Sequence, residues 1–382
     1  MREIEDATVV GQVAAMEMTV PPVPPVRAKD GQPRAISPTD VSRFITLDQC
    51  ERFLRLSLYA GNAKAGRHFL QDEFGVQGQG IPPLLTRSGL DFERAVEAAV
   101  RGRHAVTNFA AEAHAHVARG PNNARMVAEA RSLAPGESRV YFQVRLHVVV
   151  AGWQIRGDAD LVRLARDDGG VLRVLVADMK SSAKTKVEHR LQVAFYAEML
   201  AALFAEAGVD CAEIGTAILY RGPLATEELT AEELARHARE RALALEALGT
   251  DVGLLELTPD PENYRASVRD LVTGPTALAR RVAEADFASL PYCLDAKCDG
   301  CVFNEFCLTQ SARADDLSLL PHLGASEKHA LRRAGVTTMR QLALVKEPVA
   351  ESVGADVRLV PTAGHEELAR RLAATWPVGP RL

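Results

Sequence analysis

The sequence predicts an α/β fold, with a strand-rich centre flanked by helices. Three observations carry this. Residues 140–180 alternate and are rich in Val and Leu, as half-buried strands are. Turn residues interrupt that stretch at Ala151-Gly152 and Asp168-Gly169-Gly170, which divides it into three strands. Helix-period segments flank it at 37–59, 88–106 and 187–208.

In chain order, residues 1–33 contain VPPVPPVRAKDGQP and lack periodicity, so they read as a disordered Pro-rich arm. ISPTDVSRFITLDQCERFLRLSLY is helical, with Ser37, Thr39 or Asp40 as N-cap. SGLDFERAVEAAVRGRHAV (88–106) is a helix with Phe92, Val96 and Val100 on one face. After the three strands, VEHRLQVAFYAEMLAALFAEAG reads as an amphipathic helix ending at Gly208, and EIGTAILYR as a further strand. Helical stretches at about 226–247 and 262–287 precede a cysteine-rich loop, and short helices follow from Asp315. The expected organisation is an arm (1–33), a main domain (34–310) and a small helical region (311–382).

Bulk properties set the class. The chain has 382 residues, enough for two or three domains, with 47% hydrophobic and 25% charged residues, as soluble globular proteins have. A net charge of −5 means that nucleic acid would have to meet a local basic patch rather than a global field. No run of about 18 apolar residues occurs, so no membrane partner is expected. The opening MREIEDATVV has no signal-peptide core, so a cytoplasmic location is the default. No Gly-x4-Gly-Lys-Ser/Thr phosphate loop is present, so any helicase would be a separate chain.

The chemistry gathers near the third strand's end. Asp178 and Lys180 are two residues apart and project from the same face. Asp160 ends the preceding strand pair in GDADLV. Glu93 and Glu97 share a helix face, and His189, Gln192 and Tyr196 share another. Hard oxygens from Glu93, Asp160, Asp178 and a carbonyl such as that of Met179 suit Mg2+ or Mn2+. A lysine beside such a metal can orient water and offset charge on a phosphate. Each piece alone has a plainer reading: a solvated ion pair, a turn, a surface Gln, a core-edge Tyr. Their order along the chain is what points to a metal-dependent phosphodiesterase.

Gly157-x-x-Asp160, Asp178-x-Lys180 and Gln192-x-x-x-Tyr196 resemble the three motifs of RecB-like nucleases in the PD-(D/E)XK superfamily. The resemblance implies a restriction-endonuclease-like core, a mixed central sheet flanked by helices. It also implies that Asp160 and Asp178 bind metal, that Lys180 serves catalysis, and that Gln192 and Tyr196 form the helical motif. Many members carry a metal-binding histidine four residues after a glycine in the early helix. Counted from Gly89, that position is Glu93, a departure that still offers a ligand.

Six cysteines are present, four of them in CLDAKCDGCVFNEFC, and in a reducing compartment such density reads as metal or iron–sulfur ligation. Iron–sulfur members of the family, such as the AddB nuclease domain and CRISPR-associated RecB-like nucleases, take one cysteine upstream and three near the domain's end. Cys50 and Cys298-x2-Cys301-x5-Cys307 resemble that set, which implies a 4Fe–4S cluster stapling the core. Zn2+ on Cys293, Cys298, Cys301 and Cys307 is the alternative. Cys293 is otherwise a spare and Cys211 a small buried hydrophobe.

Residues 315–345 resemble a helix-hairpin-helix, in which Lys328, Arg332, Arg333 and Arg340 would meet phosphate; a small packing unit with a basic face is the equal alternative. Lys184, Lys186 and Arg190 are the basic candidates beside the acid–lysine site. The resemblance thus implies a nuclease acting on DNA, single-stranded or with free ends, in repair, recombination or defence, with a helicase or other subunit as possible partner. The rivals are a silent nuclease-fold DNA-binding scaffold and a zinc-stabilised RNA-processing nuclease.

Overall fold

The alternating Val/Leu stretch forms three antiparallel strands joined at the two expected turns: Ser138–Val150, Trp153–Arg166 and Leu172–Lys180. The structure, a computed structural model, describes residues 34–60, 83–110, 120–223, 228–321, 323–343, 349–353 and 356–360. The Pro-rich arm lies outside them. The described residues divide into one unit that ends at Phe306 and another that begins at Cys307. None of their helices is long and apolar enough to cross a membrane.

The first unit contains β1 (Arg34–Ile36), α1 (Pro38–Thr46), α2 (Glu51–Ala60), α3 (Pro83–Arg101), β2 (Ala105–Asn108), α4 (Asn123–Ser132) and the three strands above, β3, β4 and β5. It continues with α5 (Val187–Ala207), β6 (Glu213–Tyr220), α6 (Ala231–Leu248), β7 (Leu254–Leu257), α7 (Pro261–Val272) and α8 (Leu278–Glu284). The sheet has seven strands in the order β2-β3-β4-β5-β6-β7, with β1 also paired to β4. It is mixed: β1–β4, β2–β3 and β5–β6 are parallel and the other pairs antiparallel.

Several elements differ from the sequence reading. The first helical stretch is two helices: Ser37 caps α1 through Asp40 N–H, and the chain turns at Asp48 and Gln49, both with positive φ, before α2 begins. The helix expected over 88–106 starts at Pro83 and stops at Arg101. Beyond Gly102, the β-branched Val106 and Thr107 lie in β2. The stretch 262–287 breaks at Gly274, whose φ of 92° suits only glycine. The helix taken as amphipathic, α5, is buried almost all round: Gln192 to Ala197 are consecutive buried residues. Such a helix is core rather than surface.

One sheet face buries Phe92, Val96 and Val100 of α3 and Ala244 and Leu248 of α6 against Phe142, Leu161, Ala177 and Leu219. The other carries α5, which also packs against α1 and α7. In the second unit, Leu317, Leu331, Ala334 and Val336 form a small core under the helices Ala325–Arg333 and Met339–Ala343. The expected all-helical region also contains an antiparallel hairpin, Val349–Val353 with Asp356–Val360, where alternation with valine favours strands.

Candidate active site

Strand β5 delivers the expected pair. Asp178 is 1% exposed, and its Oδ2 lies 2.7 Å from Lys180 Nζ. Neither carboxylate oxygen of Asp178 has a well-directed hydrogen bond, although both are buried. Asp160, on the neighbouring strand, accepts Met179 N–H at 2.8 Å through Oδ2, so the backbone between the two motif residues holds the acid of the other motif. Glu93 reaches the same group from α3 and is close enough for Asp160 and Lys180 to affect its ionisation.

Crowding three acids around one lysine in a part-buried site is costly, and it shifts their ionisation. Burial and then Asp178 raise Asp160 to about 8, while burial and then Asp160 raise Glu93 to about 7. Asp178 is also raised, by burial above all, against the pull of Lys180. Burial would lower Lys180, but Asp178, Asp160 and Glu93 outweigh it and keep the ammonium charged. Among the described residues, no three His, Cys, Asp or Glu side chains form a group that could hold a metal ion. The chemistry of the donors still suits a small divalent cation: Glu93, Asp160 and Asp178 offer hard oxygens, and Asp178 Oδ1 is buried without a hydrogen-bond partner.

The helical motif lies directly behind these groups. Gln192 Oε1 accepts from Lys180 Nζ at 3.4 Å, and Gln192 is buried. Tyr196 donates its hydroxyl to the Asp158 carbonyl at 2.8 Å. Its ring lies over Gly157, where an added Cβ would come within 2.7 Å of Tyr196 Cε1. This explains the glycine of Gly157-x-x-Asp160: only a residue without Cβ lets the tyrosine clamp this strand. Tyr196 is 2% exposed and braces β4 from behind.

Gln143 was not anticipated. Its Nε2 donates to Glu93 Oε2 at 3.3 Å, and its backbone is left-handed, φ 56°. His189 is buried in the first turn of α5 with an unpartnered Nδ1. Burial and then Lys180 lower it to about 4, so it is neutral beside the lysine. Glu97 shares a helix with Glu93 but is bound at 2.6 Å by both Arg101 and Asn108.

Residues 77–308, well over half of the chain, match the PD-(D/E)XK nuclease superfamily. The chain belongs to this superfamily. Its membership implies hydrolysis of phosphodiester bonds in nucleic acid. No curated protein matches the sequence. Among solved structures, the protein SSO0001 is similar at 13% identity and a TM-score of 0.28, over 72% of this chain and 86% of its own. A Eubacterium rectale protein provisionally assigned as an exonuclease is similar at 11% identity and a TM-score of 0.30, over 65% and 81%.

The basic residues expected around the acid–lysine site fare unevenly. Lys184 and Lys186 are exposed. Arg190 instead turns inward, its Nε 2.7 Å from Glu256 Oε1. In the second unit Arg332, Arg333 and Arg340 are exposed. Lys328 is 2% exposed, with its ammonium 2.7 Å from Asp316 Oδ1 and 2.5 Å from Ser318 Oγ, and so is turned away from any phosphate.

Cys50, Cys298 and Cys301 are reduced thiols near one another in the first unit, while Cys307 belongs to the second. Cys50 caps the start of α2, where Arg52 and Phe53 N–H groups point at its sulfur; Phe303 N–H lies 3.4 Å from Cys301 Sγ. Burial raises all three thiols. Cys298 reaches about 11 through burial, against a backbone hydrogen bond at Asp295 and with Cys301 and Cys50 adding smaller rises. The corner is tied down by Lys297 pairing with Asp48 and by Arg55 Nη1 donating to the carbonyls of Val282, Ala283 and Ala285. Arg52 is buried, its guanidinium 3.5 Å from the Tyr292 ring centre, and its Nε and Nη1 have no hydrogen-bond partner.

Proposed function

We propose that this chain is a RecB-like, Mg2+- or Mn2+-dependent DNA nuclease. The observation that carries the reading is the Asp178–Lys180 pair held against Asp160 and Glu93. Glu93, Asp160 and Asp178 are the residues that would hold the cation. When bound, the cation polarises the phosphoryl group and lowers the pKa of its water. Lys180 stays protonated among the acids, and its ammonium orients the attacking water and offsets charge developing on the phosphate. Gln192 aims that ammonium, and Tyr196 keeps the Asp160 strand in register behind it. Lys184 and Lys186, exposed beside α5, would meet the backbone of single-stranded DNA or a free end; Arg332, Arg333 and Arg340 would serve likewise in a helix-hairpin-helix. A role in repair, recombination or defence, with a separate helicase or other subunit, follows from the RecB-like reading.

The cysteines are proposed to hold a 4Fe–4S cluster on the set that the family resemblance implies, Cys50, Cys298, Cys301 and Cys307. Amide N–H groups aimed at sulfur suit cysteinates, and a buried guanidinium with unpartnered donors suits an anionic cluster. Cys50 lies close enough to Cys298 and Cys301 to raise both thiols, which supports including it in the set.

Lys180→Ala tests the catalytic assignment. The variant should fold and bind labelled single-stranded DNA but lose cleavage. Wild-type cutting by this variant would refute the assignment.

A further inference from the structure

Within the β3–β4 ladder, residues pair at Phe142↔Leu161 and Val144↔Ala159, but not at the intervening step, Gln143 opposite Asp160. Gln143 there has a φ of 56°, whereas Ala151, the next residue of this hairpin with positive φ, lies in the turn. A left-handed backbone is strained for a residue that carries a side chain. Such strain persists only where the surroundings over-determine it, and it clusters at functional sites. Here the kink has a visible consequence. The Gln143 amide meets α3, where Nε2 donates to Glu93 Oε2 at 3.3 Å.

We propose that Gln143 is a positioning residue that holds the Glu93 carboxylate toward Asp160 and so sets the affinity of this site for a divalent cation. The inference rests on the metal-site reading above. Its chemistry suits the task. Glu93 sits among other acids, and a lone carboxylate on a helix would swing away from them. An arginine or lysine at 143 would restrain Glu93 but neutralise the charge that attracts the cation, and an acid would repel it. A neutral amide restrains the carboxylate through one N–H and leaves its charge intact. Asp160, across from the kink, has its carboxylate held from the other side, by Met179 N–H. One acid is thus oriented from β3 and the other from β5.

The test is Mn2+ binding to the full-length chain without nucleic acid, measured by titration calorimetry, in the wild type, Gln143→Gly, Gln143→Asn and Asp178→Asn. Gln143→Gly removes the amide and relieves the left-handed strain, so it should melt no lower than the wild type. It should bind Mn2+ about tenfold or more weakly, the usual cost of losing a group that orients a metal ligand. Its cleavage should recover most of the lost rate at saturating Mn2+. Gln143→Asn tolerates the backbone and keeps a shorter amide, so its affinity should lie between the two. If Asp178→Asn loses Mn2+ while Gln143→Gly keeps the wild-type affinity, the role of Gln143 is refuted and the metal site stands. If the wild type takes up no Mn2+, both fall together.

Discussion

The acid–lysine site and the cysteine corner lie in the same unit but are built in opposite ways. Asp160, Asp178 and Lys180 stand on adjacent paired strands, so register fixes them before any ligand arrives. Cys50 follows two left-handed residues at a helix start, and Cys298 and Cys301 lie in and just after the short 3-10 turn Ala296–Gly300. The first site is a rigid frame carrying uncomfortable charges. The second is a loop corner around neutral thiols, tied down from outside by Arg55 and the Lys297–Asp48 pair rather than by strand register. Removing a side chain should therefore cost function at the first and structure at the second.

The sharpest way to break that contrast is Asp178→Asn. Removing a buried acid should lower cleavage by at least about 10²-fold while leaving the melting temperature equal or higher, because a carboxylate that burial disfavours becomes a neutral amide. A collapse of the fold would make Asp178 a structural residue. At the cysteine corner the opposite is expected. Cys298→Ser should lose bound metal and melt several degrees lower, whereas Cys293→Ser should keep both. Metal analysis of anaerobically purified protein checks this, and a zinc-loaded wild type ruined by Cys293→Ser would reverse the ligand assignment.

A smaller effect is expected at Gly157. Gly157→Ala forces a methyl into the Tyr196 ring and should destabilise by about 1–3 kcal/mol in denaturant melts. An unchanged stability would mean that the clamp on β4 is loose.

The smallest effect is in pH. Glu93 and Asp160 have folded values raised from 4.5 and 3.8 to about 7 and about 8. Their protonated forms suit the metal-free fold. That contribution is complete below the ordinary values and is lost as pH rises through 7 to 8. Metal-free protein should melt at falling temperature from pH 6 to 9, and Mn2+ should restore most at pH 9. A flat profile would mean the acids are less crowded than described.

What was legible in the sequence follows from distance along the chain. Asp178 and Lys180 share a face by strand geometry alone, and the turns at Ala151-Gly152 and Gly169-Gly170 announce themselves. Gly157 and Tyr196 were readable as motif members, but not as parts that touch. Gln143 was invisible, because both its backbone and its Glu93 partner are set by tertiary contacts. Arg190 and Lys328 read as basic surface; Glu256, 66 positions from Arg190, and Asp316, 12 from Lys328, turn them inward. A lysine's partner cannot be read from the lysine. The parallel pairings of β1 and β2 were hidden for the same reason, since strands of three and four residues carry little pattern.

The most direct test of the central claim is cleavage of end-labelled single- and double-stranded DNA by the full-length, anaerobically purified chain. The account predicts cutting with Mg2+ or Mn2+, abolished by a chelator and restored by returning the cation. Cutting that survives chelation, or none by well-folded protein supplied with either cation, would contradict it.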